Sequence, residues 1–588
     1  MMRFYTNVVR RGNNLLVRER SDTGLSRYKV PFKPILYVKT TEETGYRSLI
    51  EDEPVKPIEF ESMTAAKEFI EQYDSVSGFP IFGMTDYVRQ YLGRSKYEWD
   101  YKFLSIWSID IETTVPEDEH GNTEFPEPVD AKGEILLITL TNVQTGRSFT
   151  FGSKPYSGQD TRYMDCGDEK TLLRRFLEFW QQIDVDIITG WNIDQFDIPY
   201  MVTRITDVLG EDFAKQLSPW GIVRCTNKEF NGRLEYNTEL AGISILDYMV
   251  LYKKYILTKQ ESYSLANIAE VELGHTKLDY SQYKTWKEFH TKDWVLFTKY
   301  NVVDALLVKQ LDDKLNLIRI VVTVAYKAGI NFEDVSSPIK TWDSIIHNTL
   351  LAEKVVVPQT GRSRAQPLDG AYVKEPVPGF YHNVSSIDAT SLYPSIIITN
   401  NISPETYLGN VGTTIEDFFD IKSTAVFGDE EYVVTPAGAR YSKKKRGILP
   451  RLMIQYMADR KTVKNEMLAL EQEYENTKEE SLLNRIAALD AMQMAIKILL
   501  NSCYGATANE HFRFFKHDHA ASITLSGQYL LRSAENKVGS KINKKFKTDG
   551  EPYVVYCDTD SIYFCLDPII KKFYPLHKKK TINQQKIS

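Results

Sequence analysis

Two carboxylates stand two residues apart inside an apolar run, Ser108-Ile109-Asp110-Ile111-Glu112-Thr113. The run predicts a strand, and a strand turns successive side chains to opposite faces. Asp110 and Glu112 therefore share one face, and Ile109 and Ile111 share the other. Two like charges at that spacing repel unless a cation lies between them. Hard oxygen ligands of this kind suit Mg²⁺ or Mn²⁺. Taken alone, the pattern also fits the solvated edge of an ordinary strand.

Two further acidic segments follow. Gly190-Trp191-Asn192-Ile193-Asp194-Gln195-Phe196-Asp197 places Asp197 at a loop-to-helix start, where it also fits a helix cap. Tyr300-Asn301-Val302-Val303-Asp304 puts a phenol and a carboxylate at i and i+4, on one helical face. A second group lies beyond residue 385. In Ser386-Ile387-Asp388-Ala389-Thr390-Ser391-Leu392-Tyr393-Pro394-Ser395 an acid ends an apolar strand, and the backbone N–H groups of the next turn can hold phosphate oxygens. In Tyr556-Cys557-Asp558-Thr559-Asp560-Ser561-Ile562 two acids sit at the tip of a strand–turn–strand, a place Asp also takes for its turn preference. Between them, Arg460 and Lys464 share one helical face, and Lys497, Asn501 and Tyr504 share another. Such faces suit a triphosphate, or are simply solvated.

At 588 residues the chain is too long for one core and implies roughly three to five domains. No uninterrupted apolar run of about 18 residues is found, so no membrane partner is expected. The start, Met1-Met2-Arg3-Phe4-Tyr5-Thr6, lacks the pattern of a secretion signal. The five cysteines show no metal-ligand spacing, as expected in a reducing cytoplasm. Net charge is -7, but 28 Lys+Arg face 25 Asp+Glu after residue 370, against 44 and 54 before it. Phosphate binding needs local basic surfaces, so the overall sign excludes nothing. The basic runs Lys443–Arg446, Lys541–Lys547 and Lys578–Lys580 read individually as solvated.

Residues 1–100 read as short strands with a helix at Met63–Tyr73, and 101–340 as α/β. Strands are expected near Phe103–Ile111 and Glu134–Thr141, and helices near Glu169–Gln182, Tyr263–Glu270 and Thr291–Ala328. Pro and Gly mark 341–385 as a connector. A helical pair is expected at about Pro450–Tyr474 and Ser481–Tyr504, with a polar turn at Glu475-Asn476-Thr477-Lys478, then strand–turn–strand at Tyr553–Leu566.

In order, the acidic segments resemble the DEDDy 3′–5′ exonuclease pattern, and the later ones resemble motifs A, B and C (Asp388–Ser395, Lys497–Gly505, Tyr556–Ser561) of family B DNA polymerases. The segments Gly242–Tyr248, Gly370–Pro376 and Ile402–Thr406 are similar to the T-even phage members, and the likeness covers essentially 1–570. It implies α/β and α+β multidomain architecture: an N-terminal domain (1–100), an RNase H-like exonuclease (101–340), a connector (341–385), a partial ferredoxin-like palm (386–450 and 506–570), helical-hairpin fingers (451–505) and a tail (571–588). A β-hairpin aiding strand transfer is implied near Asn227–Leu240.

The resemblance makes Asp110, Glu112, Asp197 and Asp304 ligands of two Mg²⁺ (or Mn²⁺) ions, with Tyr300 orienting water. It makes Asp388, Asp560 and the Ala389 carbonyl hold a second pair, supported by Asp558. Ser391, Leu392, Arg460, Lys464, Lys497 and Asn501 would contact the incoming dNTP; Tyr393 would pack beneath its sugar, and Tyr504 would line the nascent base pair. Ala389 and Cys503 are smaller than the family's usual residues, which implies altered packing only. Primer–template DNA is the implied partner, in the cytoplasm of an infected bacterium. The family continues well past Asp560, so a thumb and the rest of the palm are expected from a second polypeptide, which would also carry the sliding-clamp contact. The alternatives are an exonuclease-only product with an inert polymerase half, or a nucleic-acid-binding regulatory fragment.

Overall fold

A computed structural model describes residues 2–573 apart from 74–75, 77–78, 117–125, 257, 360, 362–366, 377, 421–430 and 549. Most of the expected tail, with Lys578–Lys580, lies outside the described residues. The chain opens with an antiparallel meander, Arg3–Arg11, Asn14–Ser21 and Gly24–Pro31. A five-stranded sheet follows, whose edge strand Val355–Val356 returns from far along the sequence to pair with Tyr46–Ser48.

The central sheet has six strands in the order Arg162–Asp165, Ser148–Gly152, Ile135–Asn142, Ile106–Thr113, Ile187–Gly190 and Ser244–Asp247. Its middle strands are antiparallel neighbours, whereas Ile106–Thr113, Ile187–Gly190 and Ser244–Asp247 run parallel. The alternation within Ile106–Thr113 divides the faces: Ile109 and Ile111 join Leu172, Phe176 and Trp180 of helix Glu169–Ile183 in one apolar cluster. The opposite face, with Asp110, meets helix Trp294–Leu315.

The expected helix Thr291–Ala328 is three helices, Trp286–Lys292, Trp294–Leu315 and Leu317–Ala328. Asp293 caps the second, and Asn316 at φ 53° ends it in the left-handed region open to Asn. The connector is shorter than expected, because helix Pro338–Ala352 occupies its first part and buries Trp342 completely.

The helical pair spans Ile448–Thr477 and Ser481–Thr507. Residues 475–477 stay helical, and the break falls at Lys478, φ 55°. Exposed polar side chains are compatible with a helix, so of the four residues expected in the turn only the last, Lys478, lies in it. Ser481–Thr507 also passes the length and hydropathy test for a membrane span, despite lacking an unbroken apolar run. Its Ala491, Ala495, Ile496, Leu499 and Leu500 instead belong to the main core, and the helix packs on Leu317–Ala328 and Pro338–Ala352. A further helix, His517–Phe546, was not anticipated from its mixed small and polar residues. It backs a four-stranded antiparallel sheet ordered Val373–Lys374, Val554–Asp558, Ser561–Cys565 and Val384–Asp388.

Candidate active sites

Three elements of the central domain converge on a cavity of about 620 Å³ lined by Asp110, Glu112, Asn192, Phe196, Asp197, Lys277, Tyr300 and Asp304 among others. Ligand oxygens of Asp110, Glu112 and Asp304 lie within 4.8 Å of one another. Asp197 opens helix Asp197–Leu209 and accepts a 3.1 Å hydrogen bond from the Ile111 backbone N–H, which binds its carboxylate to the Asp110 strand. Tyr300 and Asp304 project from one face of Trp294–Leu315, as i and i+4 require.

Burial and mutual repulsion dominate the electrostatics. Burial, then Asp304, pushes both Asp110 and Glu112 well above the usual carboxylate range. Burial raises Asp197 to about 7, and raises Asp304 to about 6 against the opposing pull of Lys277. Buried Asp304 Oδ1 has no hydrogen-bond partner among the described residues. Carboxylates held this close, with an orphaned oxygen and an all-oxygen donor set, fit a hard divalent cation.

Lys277 was not singled out from the sequence. Its ammonium donates to Asp304 Oδ2 and, at 3.2 Å, to the Tyr300 hydroxyl. Burial alone would lower the Lys277 pKa, but Asp304, Tyr300 and Asp110 more than offset this and hold it raised. Asn301 was also missed as a partner, although it lies inside the quoted segment. Its Nδ2 donates to Asp110 Oδ2 at 2.7 Å. Asp247 braces the approach to Asp197, accepting from Asn192 and Asp194 N–H groups at 3.2 and 3.1 Å. Beside the cavity, the hairpin Val223–Phe230/Arg233–Leu240 is tied to Gln195 through the N–H and carbonyl of Tyr236.

The second set of acids lies on the four-stranded sheet. Asp388 ends one strand opposite Ser561, and the Ser561 hydroxyl donates to Asp388 Oδ2 at 3.0 Å. The Ala389 N–H donates to the Asp560 carbonyl at 2.8 Å, so the ends of two sheet strands are joined at the acids. Burial and then Asp388 raise the Asp560 pKa. Asp558 faces differently: its oxygens accept from the hydroxyls of Tyr556 at 3.3 Å and Thr559 at 2.9 Å.

Ser391 takes φ 53° ahead of helix Leu392–Thr399, which no side chain caps. The first N–H groups there are the unpaired donors that suit a phosphate. The Tyr393 and Tyr504 rings meet at 4.8 Å between centroids, joining this helix to the helical pair. Arg460 contacts Gln493 Oε1 across the pair, at 3.3 Å from Nη2. Lys464 and Asn501 are exposed, and Lys497 is half-buried.

The residue arrangement is matched by known proteins. Residues 86–268 match the exonuclease domain of DNA polymerase family B, and residues 339–571 match DNA polymerase family B itself. The DNA-directed DNA polymerase of Escherichia phage RB69 is 34% identical over 97% of this chain and 70% of its own length. That of Enterobacteria phage T4 is 31% identical over the same shares. The DNA polymerase delta catalytic subunit of Caenorhabditis elegans is 28% identical over 68% of the chain and 36% of its own length. Both phage matches run through the two acidic sites, and the chain therefore belongs to DNA polymerase family B, as a DNA-directed DNA polymerase with the family's 3′–5′ exonuclease domain.

Proposed function

We propose that this chain extends DNA primers at the Asp388/Asp560 sheet and removes mispaired 3′ ends in the Asp110 cavity, using divalent cations at both. The observation that carries the reading is the convergence of Asp110, Glu112 and Asp304 from strand and helix into one cavity. Pairs of Mg²⁺ ions, with Mn²⁺ as substitute, would supply charge neutralisation of the attacking and departing oxygens. In the cavity Asp110, Glu112, Asp197 and Asp304 would hold them, while the Tyr300 hydroxyl orients the attacking water. Lys277 keeps Tyr300 and Asp304 in register for that task.

The six-stranded domain plays the part of an RNase H-like nuclease, the four-stranded sheet that of a palm, and the long helical pair that of fingers. On the palm, Asp388, Asp560 and the Ala389 carbonyl would hold the cations, and Asp558 would support them through the turn. The Ser391 and Leu392 backbone, with Arg460, Lys464, Lys497 and Asn501, would grip the triphosphate. Tyr393 would lie beneath the sugar, with Tyr504 against the base pair. Phe380, Val384 and Ile387 stand exposed beside this sheet, Phe380 at 98%. A covering segment is the simplest way to remove that apolar surface from water; it would carry the thumb and clamp contact. In the phage relatives the matched region is part of a single polypeptide.

Primer extension and 3′-end degradation in Mg²⁺ test these assignments. Asp110→Ala with Glu112→Ala should abolish degradation and spare extension, and Asp388→Ala the reverse; unchanged degradation in the double variant would overturn the nuclease assignment.

A further inference from the structure

The side chains behind Asp110 form a row that crosses three strands. Asp110 pairs with Thr139 in the register of its strand with Ile135–Asn142, and Thr139 pairs with Thr150 on the next. The three therefore share one face of the sheet, as directly opposed cross-strand neighbours do. Asn301, from the helix covering that face, is inserted between the first two. Its Nδ2 donates to Asp110 Oδ2 at 2.7 Å, and its Oδ1 accepts from the Thr139 hydroxyl. Thr139 and Thr150 hydroxyls are 2.8 Å apart, and Thr150 and Thr161 hydroxyls 2.9 Å. Thr139, Thr150 and Asn301 are completely buried.

The donor count gives this row a direction. A threonine hydroxyl has one proton, and Thr139 gives its own to Asn301; it must therefore accept from Thr150, which must accept from Thr161. Each hydrogen points toward Asn301. Its carbonyl oxygen accepts from Thr139, and its N–H₂ side is turned toward Asp110. A flipped amide would set an oxygen against the Asp110 carboxylate, which is costly in a dry interior, and would require the threonine row to reverse, with Thr139 giving its proton to Thr150.

We propose that Thr139, backed by Thr150 and Thr161, anchors the Asn301 amide, and that Asn301 is a positioning residue holding Asp110 Oδ2 so that Oδ1 is presented to a cation. The proposal rests on the nuclease reading of the cavity. Partners behind a metal ligand typically contribute about 10- to 100-fold to metal affinity or activity. The row is thus a directional brace that runs from the partly exposed Thr161 to the catalytic aspartate.

Thr139→Val removes the hydroxyl at nearly constant shape, and Thr139→Ser retains it. Both should be assayed for 3′-end degradation of a single-stranded oligonucleotide. Mn²⁺ binding should be measured by calorimetry in a background carrying Asp388→Asn and Asp560→Asn, which isolates the nuclease cavity. Thr139→Val is expected to lower kcat about tenfold with KM for the oligonucleotide unchanged, and to weaken Mn²⁺ binding about tenfold. Thr139→Ser should stay within about twofold of the parent on all three readouts, well short of that loss. If Thr139→Val does not fold, Asn301→Leu carries the same expectation.

A folded Thr139→Val or Asn301→Leu chain with parental kcat and Mn²⁺ binding overturns the proposal, as does an equal loss in Thr139→Ser. Asp110→Ala with Glu112→Ala is the control: if that pair does not abolish degradation, the nuclease reading itself has failed.

Discussion

At the scale of single residues, the two most informative partners of the acidic cavity are cationic or neutral. Lys277 lies 27 positions from Asp304 and Asn301 lies 191 from Asp110, so neither pairing has a local spacing to reveal it. The acids themselves were legible because two-residue and four-residue periods assign faces directly. Lys277 places a fixed ammonium against both Asp304 and the Tyr300 hydroxyl. Lys277→Met should therefore release two groups at once and lower exonuclease kcat about 10- to 100-fold. Primer extension should be unaffected, because the acids on the four-stranded sheet have other partners. Steady-state degradation of a single-stranded oligonucleotide, measured beside extension on a matched primer, checks both halves.

At the scale of elements, the site depends on how closely the strand ending at Gly190 approaches its neighbour. A Cβ added at Gly190 would lie 2.5 Å from the Ile109 carbonyl oxygen and 2.4 Å from Ile193 Cγ2. The backbone of the Asp110 strand cannot yield without moving Asp110. Gly190→Ala should cost about 1–3 kcal/mol by overpacking and lower the melting temperature. It should also impair degradation more than extension. A melting scan with both assays tests this. The same scale shows where pattern reading fell short. The turn of the long helical pair moved to Lys478, and the helix His517–Phe546 had too few apolar residues in period to be seen. The helix was decided by what it packs against, which local propensity does not encode, whereas the turn at Lys478 is exposed.

At the scale of the molecule, one apolar cluster extends from Phe4 through Leu307 and Trp342 to Ile523, so N-terminal, nuclease and polymerase regions share a core. Buried ion pairs tie the same regions together. Asp186 meets Arg18 and Arg20, and Asp343 meets Arg89 and Arg513. Ionisable groups then couple stability to pH in two directions. Asp197 and Asp304 have folded pKa values raised by burial to about 7 and 6. The stability linked to their protons is present below the ordinary carboxylate range and is lost as pH rises through those values. His519 and His347, lowered by burial to about 3 and 4, act oppositely: their contribution is present above the ordinary histidine pKa and is lost on acidification. In the presence of a chelator, Asp197→Asn should therefore melt higher than the parent at pH 8, with the gap closing on acidification and vanishing only below the ordinary aspartate pKa, near pH 4. Mg²⁺ at pH 8 should raise the melting temperature of the parent more than that of the variant. Equal melting curves across pH 5–8 with chelator would remove the linkage.

The sequence by itself determined the chemistry available: which acids exist, their order, and which of them share a strand or helix face. That follows because side-chain direction within one element is set by a short backbone period. The tertiary structure alone decided which faces meet. It brought Asp304 to Asp110 and Glu112, placed Lys277 among the acids, and threaded Asn301 between Asp110 and Thr139. Those contacts join residues far apart in the chain, and the closing of such long loops is driven by packing of the whole core, not by any local signal.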